Sequence, residues 1–194
     1  MILVCLGDSI TQSGKDGGWT DEMQAQLGSR HVVINAGVGG DTTAMALDRY
    51  ARDVIPHQPQ IVIVEFGLND CYVPLERQIA RVSLQEYARN LREIVRLAQS
   101  QKAVPVIIVN HDVQTGAQHH LQGNERSLEE NVAPYNAMSR LIAQENNLQT
   151  IDFPALLSPE EARILLSDDK VHLSEAGQAI YASRVLDGVR PLLG

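Results

Sequence analysis

The sequence has few cysteines, a deficit of basic residues and no long apolar run. Its two cysteines, Cys5 and Cys71, have a spacing that fits neither a zinc site nor a redox pair. Lysine and arginine together number 16 against 24 acidic residues, which gives a net charge of −8. Because phosphate groups repel such a surface, we expect no nucleic acid partner. No segment reaches the ~20 apolar residues that a membrane helix requires, so we expect no stable membrane anchor.

The remaining composition is that of an ordinary globular protein. Hydrophobic residues make up 44% of the chain and charged residues 21%, and 194 residues predict one domain over residues 1–194. A domain of this size buries roughly 70% of its unfolded surface and needs no disulfide or metal for stability. The first apolar stretch, residues 2–6, is too short for the core of a signal peptide, and we expect a cytoplasmic protein.

Short apolar runs alternate with amphipathic segments along the chain. Runs rich in β-branched residues predict buried strands at 2–6, 32–34, 61–64 and 106–109, with a weaker fifth strand at 149–152. One helical stripe consists of Leu47, Tyr50, Ala51 and Val54 and ends before Pro56. Others cover residues 84–98, a segment after 127, and a last helix from 174 to about 189. This alternating order predicts an α/β fold with right-handed crossovers.

Glycine, asparagine, aspartate and serine are concentrated directly after the predicted strands. The segments read GDSI at 7–10, NAGVGGD at 35–41, GLND at 67–70, and NH at 110–111, where the longest polar loop begins. Ligands bind outside the carboxyl ends of the strands in open parallel sheets. We therefore expect these four segments to meet in space.

Ser9 follows a strand and a glycine, where a tight turn would present its hydroxyl at the sheet edge. A serine hydroxyl becomes a nucleophile when a base takes its proton. His172 is the base candidate that has a carboxylate, Asp169, close in sequence. Asp169 would bond one imidazole nitrogen and stabilise the imidazolium, while the other nitrogen would face Ser9. The sequence thus predicts a catalytic triad of Ser9, Asp169 and His172, with Asp168 as an alternative carboxylate.

Three N–H groups are candidates for stabilising the oxyanion that attack on an ester creates. They are the backbone N–H of Ser9, the backbone N–H of Gly40 and the side-chain amide of Asn69. A glycine lets the backbone approach a substrate without a side chain in between. Taken singly, these residues are more often turn glycines, a helix cap or a packed imidazole. Their common position after strands favours the catalytic interpretation.

The four blocks resemble the SGNH hydrolases, also called the GDSL esterase and lipase superfamily. The matching segments are GDSI at 7–10, NAGVGGDT at 35–42, GLND at 67–70 and DKVH at 169–172. The likeness covers essentially the whole chain and is greatest to the bacterial thioesterase, arylesterase and lysophospholipase branch. It implies three α/β/α layers with a flavodoxin-like parallel sheet in the order 2-1-3-4-5. It also implies Ser9 as nucleophile, Gly40 and Asn69 as oxyanion donors, His172 as base and Asp169 as its orienting acid.

Three positions depart from the pattern of that superfamily. Ile10 replaces the leucine of the motif, Lys170 stands where glycine is frequent, and Leu173 stands where proline is frequent. None of these changes removes a catalytic group, but the path of the His172 loop stays open. The spacing between acid and base in the superfamily favours Asp169 over Asp168.

Other residues of the same segments are predicted to contact the substrate, namely Asp8, Cys71, Tyr72 and His111. Cys71 has no activating partner in the sequence and is interpreted as part of a pocket wall. His111, Asp112, His119 and His120 offer ligands for a metal. We favour a polar loop at the pocket instead, because the catalytic scheme requires no metal and no cofactor.

These patterns predict a serine hydrolase that cleaves carboxylic esters through an acyl-serine intermediate. A chain of this length leaves little room for a lid, which favours short or accessible small-molecule esters. An acyltransferase that uses the same site is one alternative. A non-catalytic ligand-binding relative is another, because a fold does not prove an activity. The sequence does not reveal the oligomeric state.

Overall fold

A five-stranded parallel sheet forms the centre of the protein, whose computed structural model describes residues 1–13, 17–113 and 122–194. The strand order is β2-β1-β3-β4-β5. The strands are β1 (Ile2–Gly7), β2 (Val32–Gly37), β3 (Ile61–Glu65), β4 (Val104–Val109) and β5 (Gln149–Asp152). The predicted order is therefore confirmed, including the weaker fifth strand.

Helices flank this sheet, which confirms the predicted α/β/α arrangement. Those in the described residues are α1 (Ser9–Gln12), α2 (Trp19–Leu27), α3 (Thr43–Asp53), α4 (Leu68–Cys71), α5 (Leu84–Ser100), α6 (Leu128–Glu145), α7 (Phe153–Leu156), α8 (Pro159–Ile164) and α9 (Glu175–Val189). Helices α2 and α9 pack together, and α5 packs against both α3 and α6. Within the described ranges, no helix combines the length and apolarity needed to cross a membrane.

The central strands are buried because each is apolar at consecutive positions. All five residues of β3 are buried, and β1 and β4 are buried except at their first residue. A strand that is covered on both faces requires this pattern. Strand β2 lies at the edge of the sheet and is exposed or half-buried at most positions.

Side-chain caps begin three of the longer helices. Ser127 and Glu130 form a capping box at α6, and Ser83 and Glu86 form another at α5. Ser174 accepts a hydrogen bond from the N–H of Gly177 at the start of α9. These caps pair N–H groups that a helix cannot satisfy by itself.

The buried face of helix α3 matches in part the one that its apolar spacing predicted, since Tyr50 and Val54 are buried and Leu47 is half-buried. Its inner side also includes Ala46 and Arg49, while Ala51 is exposed. An arginine belongs to this face because its charge is paired there, as described below. The helix ends at Asp53, and Pro56 lies within a following 3₁₀ turn, Ile55–His57.

The register of the sheet brings the carboxyl ends of three strands together. Gly7 of β1 is paired with Gly37 of β2 and with Glu65 of β3. The segments that follow these strands therefore start from one edge. Two of them form the one-turn helices α1 and α4, where the sequence predicted only turns.

Candidate active site

Ser9 is the first residue of α1, immediately beyond the end of β1. Asp8 caps this turn, because its Oδ1 accepts a hydrogen bond from the N–H of Ile10 at 2.9 Å. The Ser9 hydroxyl lies 2.9 Å from Nε2 of His172, although 163 positions separate the two residues. The structure thus brings the predicted nucleophile and base within hydrogen-bonding distance.

His172 and Asp169 belong to residues 167–173, which we call the base loop. Asp169 Oδ2 lies 2.6 Å from Nδ1 of His172, and Oδ1 accepts from the backbone N–H groups of Val171 and His172, each at 2.9 Å. The Ser167 hydroxyl donates to the same oxygen at 3.0 Å. The loop therefore closes around the Asp169 carboxylate.

The hydrogen bonds to Asp169 determine its charge and the state of the imidazole. Partial burial opposes ionisation, but the bonds from His172, Val171 and Ser167 outweigh it and hold the pKa of Asp169 well below its usual value. An ionised Asp169 keeps a proton on Nδ1 of His172, which leaves Nε2 free to accept the Ser9 proton. Asp168, the alternative carboxylate, is exposed, and it is Asp169 that contacts the imidazole.

Lys170 has a φ of 61°, in the left-handed region that favours glycine. This conformation explains why glycine suits the position and shows that the turn also forms with lysine. Leu173 is buried and pairs with Leu166 across an isolated antiparallel bridge. The departures in the fourth motif therefore leave the base loop intact.

The predicted oxyanion donors lie on three segments next to Ser9. Asn69 is on α4, and its Nδ2 donates one hydrogen bond to Asp8 Oδ2 at 2.9 Å. Gly40 has a φ of 79° in the turn before α3. Among the described residues, no hydrogen-bond acceptor occupies the backbone N–H of Ser9 or of Gly40. These N–H groups are thus free to donate to a ligand.

Arg81 connects the segments of Gly40 and Asn69 and was not predicted as a site residue. Its Nη1 donates to the Gly40 carbonyl at 2.9 Å and to Asn69 Oδ1 at 3.4 Å. The Asn69 amide is therefore held from both ends, with its oxygen toward Arg81 and its nitrogen toward Asp8. No motif of the sequence singles out Arg81.

Buried polar groups fix the carboxyl ends of the strands below the site. Arg49 donates to the Ala36 carbonyl at 2.7 Å and to the Gly7 carbonyl at 2.9 Å, and it forms a 2.6 Å ion pair with Asp41. These bonds join the ends of β1 and β2. The only sequence signal for Arg49 is a charge within an apolar helical face.

Asp70 holds the start of α3 against α4. Its Oδ1 accepts from the Thr43 N–H at 3.0 Å and from the Thr43 hydroxyl at 2.5 Å. Burial raises the pKa of Asp70 to about 6, although both bonds from Thr43 favour the charged form. Asp70 therefore positions the segment that carries Gly40 relative to the helix that carries Asn69.

A cleft of about 260 Å³ opens beside Ser9 and His172. Its wall also includes Leu68, Asn69, Tyr72, Arg81, Leu128 and Val171. Apolar side chains on the wall suit an acyl group, and the N–H donors converge at one end. Of the four residues predicted to contact a substrate, Tyr72 lies on this wall.

The other three predicted contact residues, Asp8, Cys71 and His111, are at most 1% exposed and lie behind the wall. His111 Nε2 is 2.9 Å from the Val171 carbonyl, and burial lowers the pKa of His111 to about 4, so the neutral ring donates to the base loop. Burial raises the pKa of the Cys71 thiol well above its usual value, which makes it a poor nucleophile. These three side chains therefore point into the interior of the protein and not into the cleft. A position near the end of a strand does not determine which way a side chain points.

The metal interpretation concerned the loop that begins at His111. In the parts of the chain that the structure describes, no three histidine, cysteine or acidic side chains are grouped to hold a metal ion. His119 and His120 lie outside the described residues. The alternative of a metal site in this loop therefore stays untested.

Comparison with known proteins identifies the family of the chain. The chain is 27% identical to an acetylxylan esterase of Geobacillus stearothermophilus, over 95% of this chain and 91% of that protein. It is 23% identical to thioesterase 1/protease 1/lysophospholipase L1 of Escherichia coli, over 98% and 84%. A lipase/acylhydrolase structure from Enterococcus faecalis superimposes with a TM-score of 0.82 at 23% identity, over 100% and 97%. Residues 5–180 match the GDSL-like lipase/acylhydrolase family, and the chain therefore belongs to that family.

Proposed function

We propose that the chain hydrolyses carboxylic esters through an acyl-serine intermediate formed on Ser9. The observation that carries the proposal is the hydrogen-bonded series from Ser9 Oγ to His172 Nε2 at 2.9 Å and from His172 Nδ1 to Asp169 at 2.6 Å. This series supplies a nucleophile, a base and an orienting carboxylate in one line. Acyl transfer is the chemistry that such a line supports.

In the first half-reaction, Ser9 Oγ attacks the ester carbonyl carbon while His172 takes the hydroxyl proton. Charge develops on the former carbonyl oxygen, where the N–H groups of Ser9, Gly40 and Asn69 would donate. Donors already fixed in place lose no energy to reorganisation, and one such donor contributes about 3–4 kcal/mol. When the tetrahedral intermediate collapses, the imidazolium gives its proton to the departing alcohol, which leaves an acyl-serine.

In the second half-reaction, His172 removes a proton from water as the water oxygen attacks the acyl carbon. Collapse of the second intermediate releases the acid and returns the proton to Ser9. The His172 side chain is 48% exposed, so water reaches this position from the open cleft. This exposure supports water as the acceptor in preference to a bound alcohol.

We further propose a preference for short acyl groups, with acetyl esters as the first candidates. The cleft volume of about 260 Å³ is below the roughly 300–1,000 Å³ of typical small-molecule pockets. The relative from Geobacillus stearothermophilus is named an acetylxylan esterase, so acetylated sugars belong in the first substrate panel. Thioesters belong there as well, because they share the acyl-serine step.

The decisive experiment is turnover of p-nitrophenyl acetate by Ser9→Ala. We expect a fall to the uncatalysed background, because loss of the nucleophile of a triad costs about 10⁶-fold in kcat. Ser100→Ala is the matched control, since its exposed hydroxyl only bonds a carbonyl of its own helix. Undiminished turnover by Ser9→Ala would reject the assignment. A wild-type protein inactive on the whole ester panel would favour the ligand-binding alternative.

Acyl preference and acceptor are measured on the same enzyme. From acetate to octanoate esters, kcat/KM should fall if the small cleft selects for short acyl groups, and a rise along this series would contradict the proposed preference. Product analysis with added alcohol or sugar distinguishes the acceptors. A new ester that forms faster than free acid would favour the acyltransferase alternative.

A further inference from the structure

Glu65 lies at the end of β3, directly below the candidate site, and has no role in the proposed mechanism. It is completely buried. Its neighbour on β1 is Gly7, where an added Cβ would come within 2.9 Å of Glu65 Oε2 and 2.1 Å of Thr11 Oγ1. The missing side chain at Gly7 therefore makes the space that this carboxyl group occupies.

The contacts of Glu65 show which of two adjoining carboxyl groups is charged. Its Oε2 accepts from the Thr11 hydroxyl at 3.0 Å and from the Asp8 N–H at 3.4 Å, and no donor from a described residue reaches Oε1. Asp8 instead accepts from two N–H groups, those of Ile10 and Asn69, each at 2.9 Å. Because two N–H donors at 2.9 Å favour a carboxylate more than one hydroxyl and one N–H at 3.4 Å do, Asp8 is the charged partner.

The electrostatics of the pair agree with this assignment. Burial and the neighbouring Asp8 carboxylate raise the pKa of Glu65 well above its usual value. Burial also raises the pKa of Asp8, but only to about 6, because the hydrogen bonds from Ile10 and Asn69 oppose it. Two adjoining, fully buried carboxyl groups do not both ionise at neutral pH, so one proton stays between them.

We propose that Glu65 is a positioning residue, which donates a hydrogen bond to the Asp8 carboxylate and thereby fixes the Asn69 amide toward the oxyanion. In this series of hydrogen bonds, Thr11 donates to Glu65 and Glu65 donates to Asp8. Asp8 in turn accepts from the Asn69 amide. Glu65 touches neither substrate nor nucleophile and acts only through Asp8. This inference rests on the proposed function in so far as Asn69 stabilises an oxyanion.

The first test compares Glu65→Gln with Glu65→Ala in turnover of p-nitrophenyl acetate. Glutamine keeps a neutral donor and an acceptor, so kcat should stay within about threefold of wild type. Alanine removes the support of Asp8, so kcat should fall at least about tenfold while KM stays within about twofold, because the oxyanion exists only in the transition state. Equal losses in both variants would overturn the proposal.

Val64→Ala is the matched control for the cavity that Glu65→Ala creates. Val64 is the preceding residue of β3, is equally buried, and points to the opposite face of the sheet. We expect it to lower Tm as Glu65→Ala does, with an unchanged kcat. If both alanine variants lower kcat equally, Glu65 acts by packing alone and the proposal is wrong.

A double-mutant comparison tests whether Glu65 acts through Asn69. In an Asn69→Ala background, adding Glu65→Ala should change kcat by less than about twofold, because the amide to be positioned is already absent. A further tenfold loss in that background would show a different route and would overturn the proposal.

The proton on Glu65 is tested without any activity assay, so a failure here is distinct from a failure of the proposed function. An acid whose pKa is raised by folding binds more protons in the folded state, so the wild type loses stability as pH rises above about 4.5. The titratable side chains that face Glu65 are Asp8, Tyr87 of α5 and Tyr181 of α9. The Tm of Glu65→Gln relative to wild type should therefore increase from pH 5 to pH 8. A constant difference would contradict a protonated Glu65.

Discussion

The two sides of the Ser9 hydroxyl are built in different ways. On one side lies a buried floor, made of Asp8, Arg49, Glu65 and Asp70, which links the ends of the strands. On the other side lies the base loop, whose His172 side chain is 48% exposed and whose bonds are mostly internal to the loop. The floor depends on long-range burial, whereas the loop depends on local hydrogen bonds.

This difference follows from what each side has to do in the proposed reaction. Oxyanion donors act by being fixed before charge develops, which burial achieves. The imidazole has to exchange protons with a departing alcohol and with water, so it needs contact with solvent. We therefore expect changes in the loop to lower activity at little cost in stability. Changes in the floor should lower stability more strongly, with smaller losses of activity.

The largest expected effect comes from Asp169→Asn in the base loop. An amide at this position reverses the tautomer preference of His172, and kcat should fall about 10⁴-fold. At neutral pH, Tm should fall only modestly, because the loop is partly exposed and solvent screens the charge of Asp169. Asp168→Asn is the matched control, as Asp168 is the exposed neighbour, and it should keep the wild-type kcat. A large loss for Asp168→Asn with none for Asp169→Asn would reverse the assignment of the orienting acid.

The next largest effect is expected in the floor, from Arg49→Met. The change leaves Asp41 buried without its partner at 2.6 Å and removes the bonds to the Ala36 and Gly7 carbonyls. Removing one member of a buried ion pair costs about 3–5 kcal/mol of unfolding free energy, to be measured by urea denaturation. Arg52→Met is the control on the same helix, because Arg52 is exposed, and it should leave stability unchanged. Equal destabilisation by both variants would contradict the contrast between floor and surface.

The sequence predicted the sheet better than it predicted the floor. Runs of β-branched residues identify β1, β3 and β4 because burial on both faces requires them. The motifs after β1 and β3, together with the one before the last helix, indicate that Ser9, Asn69 and His172 should meet, and the structure brings them together. Helices as short as α1 and α4 escape such prediction, because four residues show no periodicity.

The residues that the sequence missed are charged groups whose partners are distant in the chain. Arg49 joins the buried face of α3 because Asp41 and two strand-end carbonyls pair its guanidinium. Arg81 reaches the Gly40 carbonyl across 41 positions. For Asp8 and His111, position after a strand is visible in the sequence, but the direction of the side chain is not. Tertiary pairing determines these features, and spacing does not report it.

The smallest expected effect sharpens the comparison through the pH dependence of stability, using Asp70→Asn for the floor. Burial raises the pKa of Asp70 from 3.8 to about 6, so the wild type loses stability as pH rises from about 4 to 7. Asparagine stays neutral, so the Tm of Asp70→Asn relative to wild type should rise by about 5 °C over that range.

Asp169 in the base loop has the opposite shift, a pKa held below 3.8. The stabilisation that its charged form supplies is present above about pH 4 and is lost in acid. The Tm of Asp169→Asn relative to wild type should therefore fall between about pH 3 and pH 5. Both differences are measured by thermal unfolding in matched buffers, and shifts of the same sign would mean that floor and loop do not differ in how they hold their carboxylates.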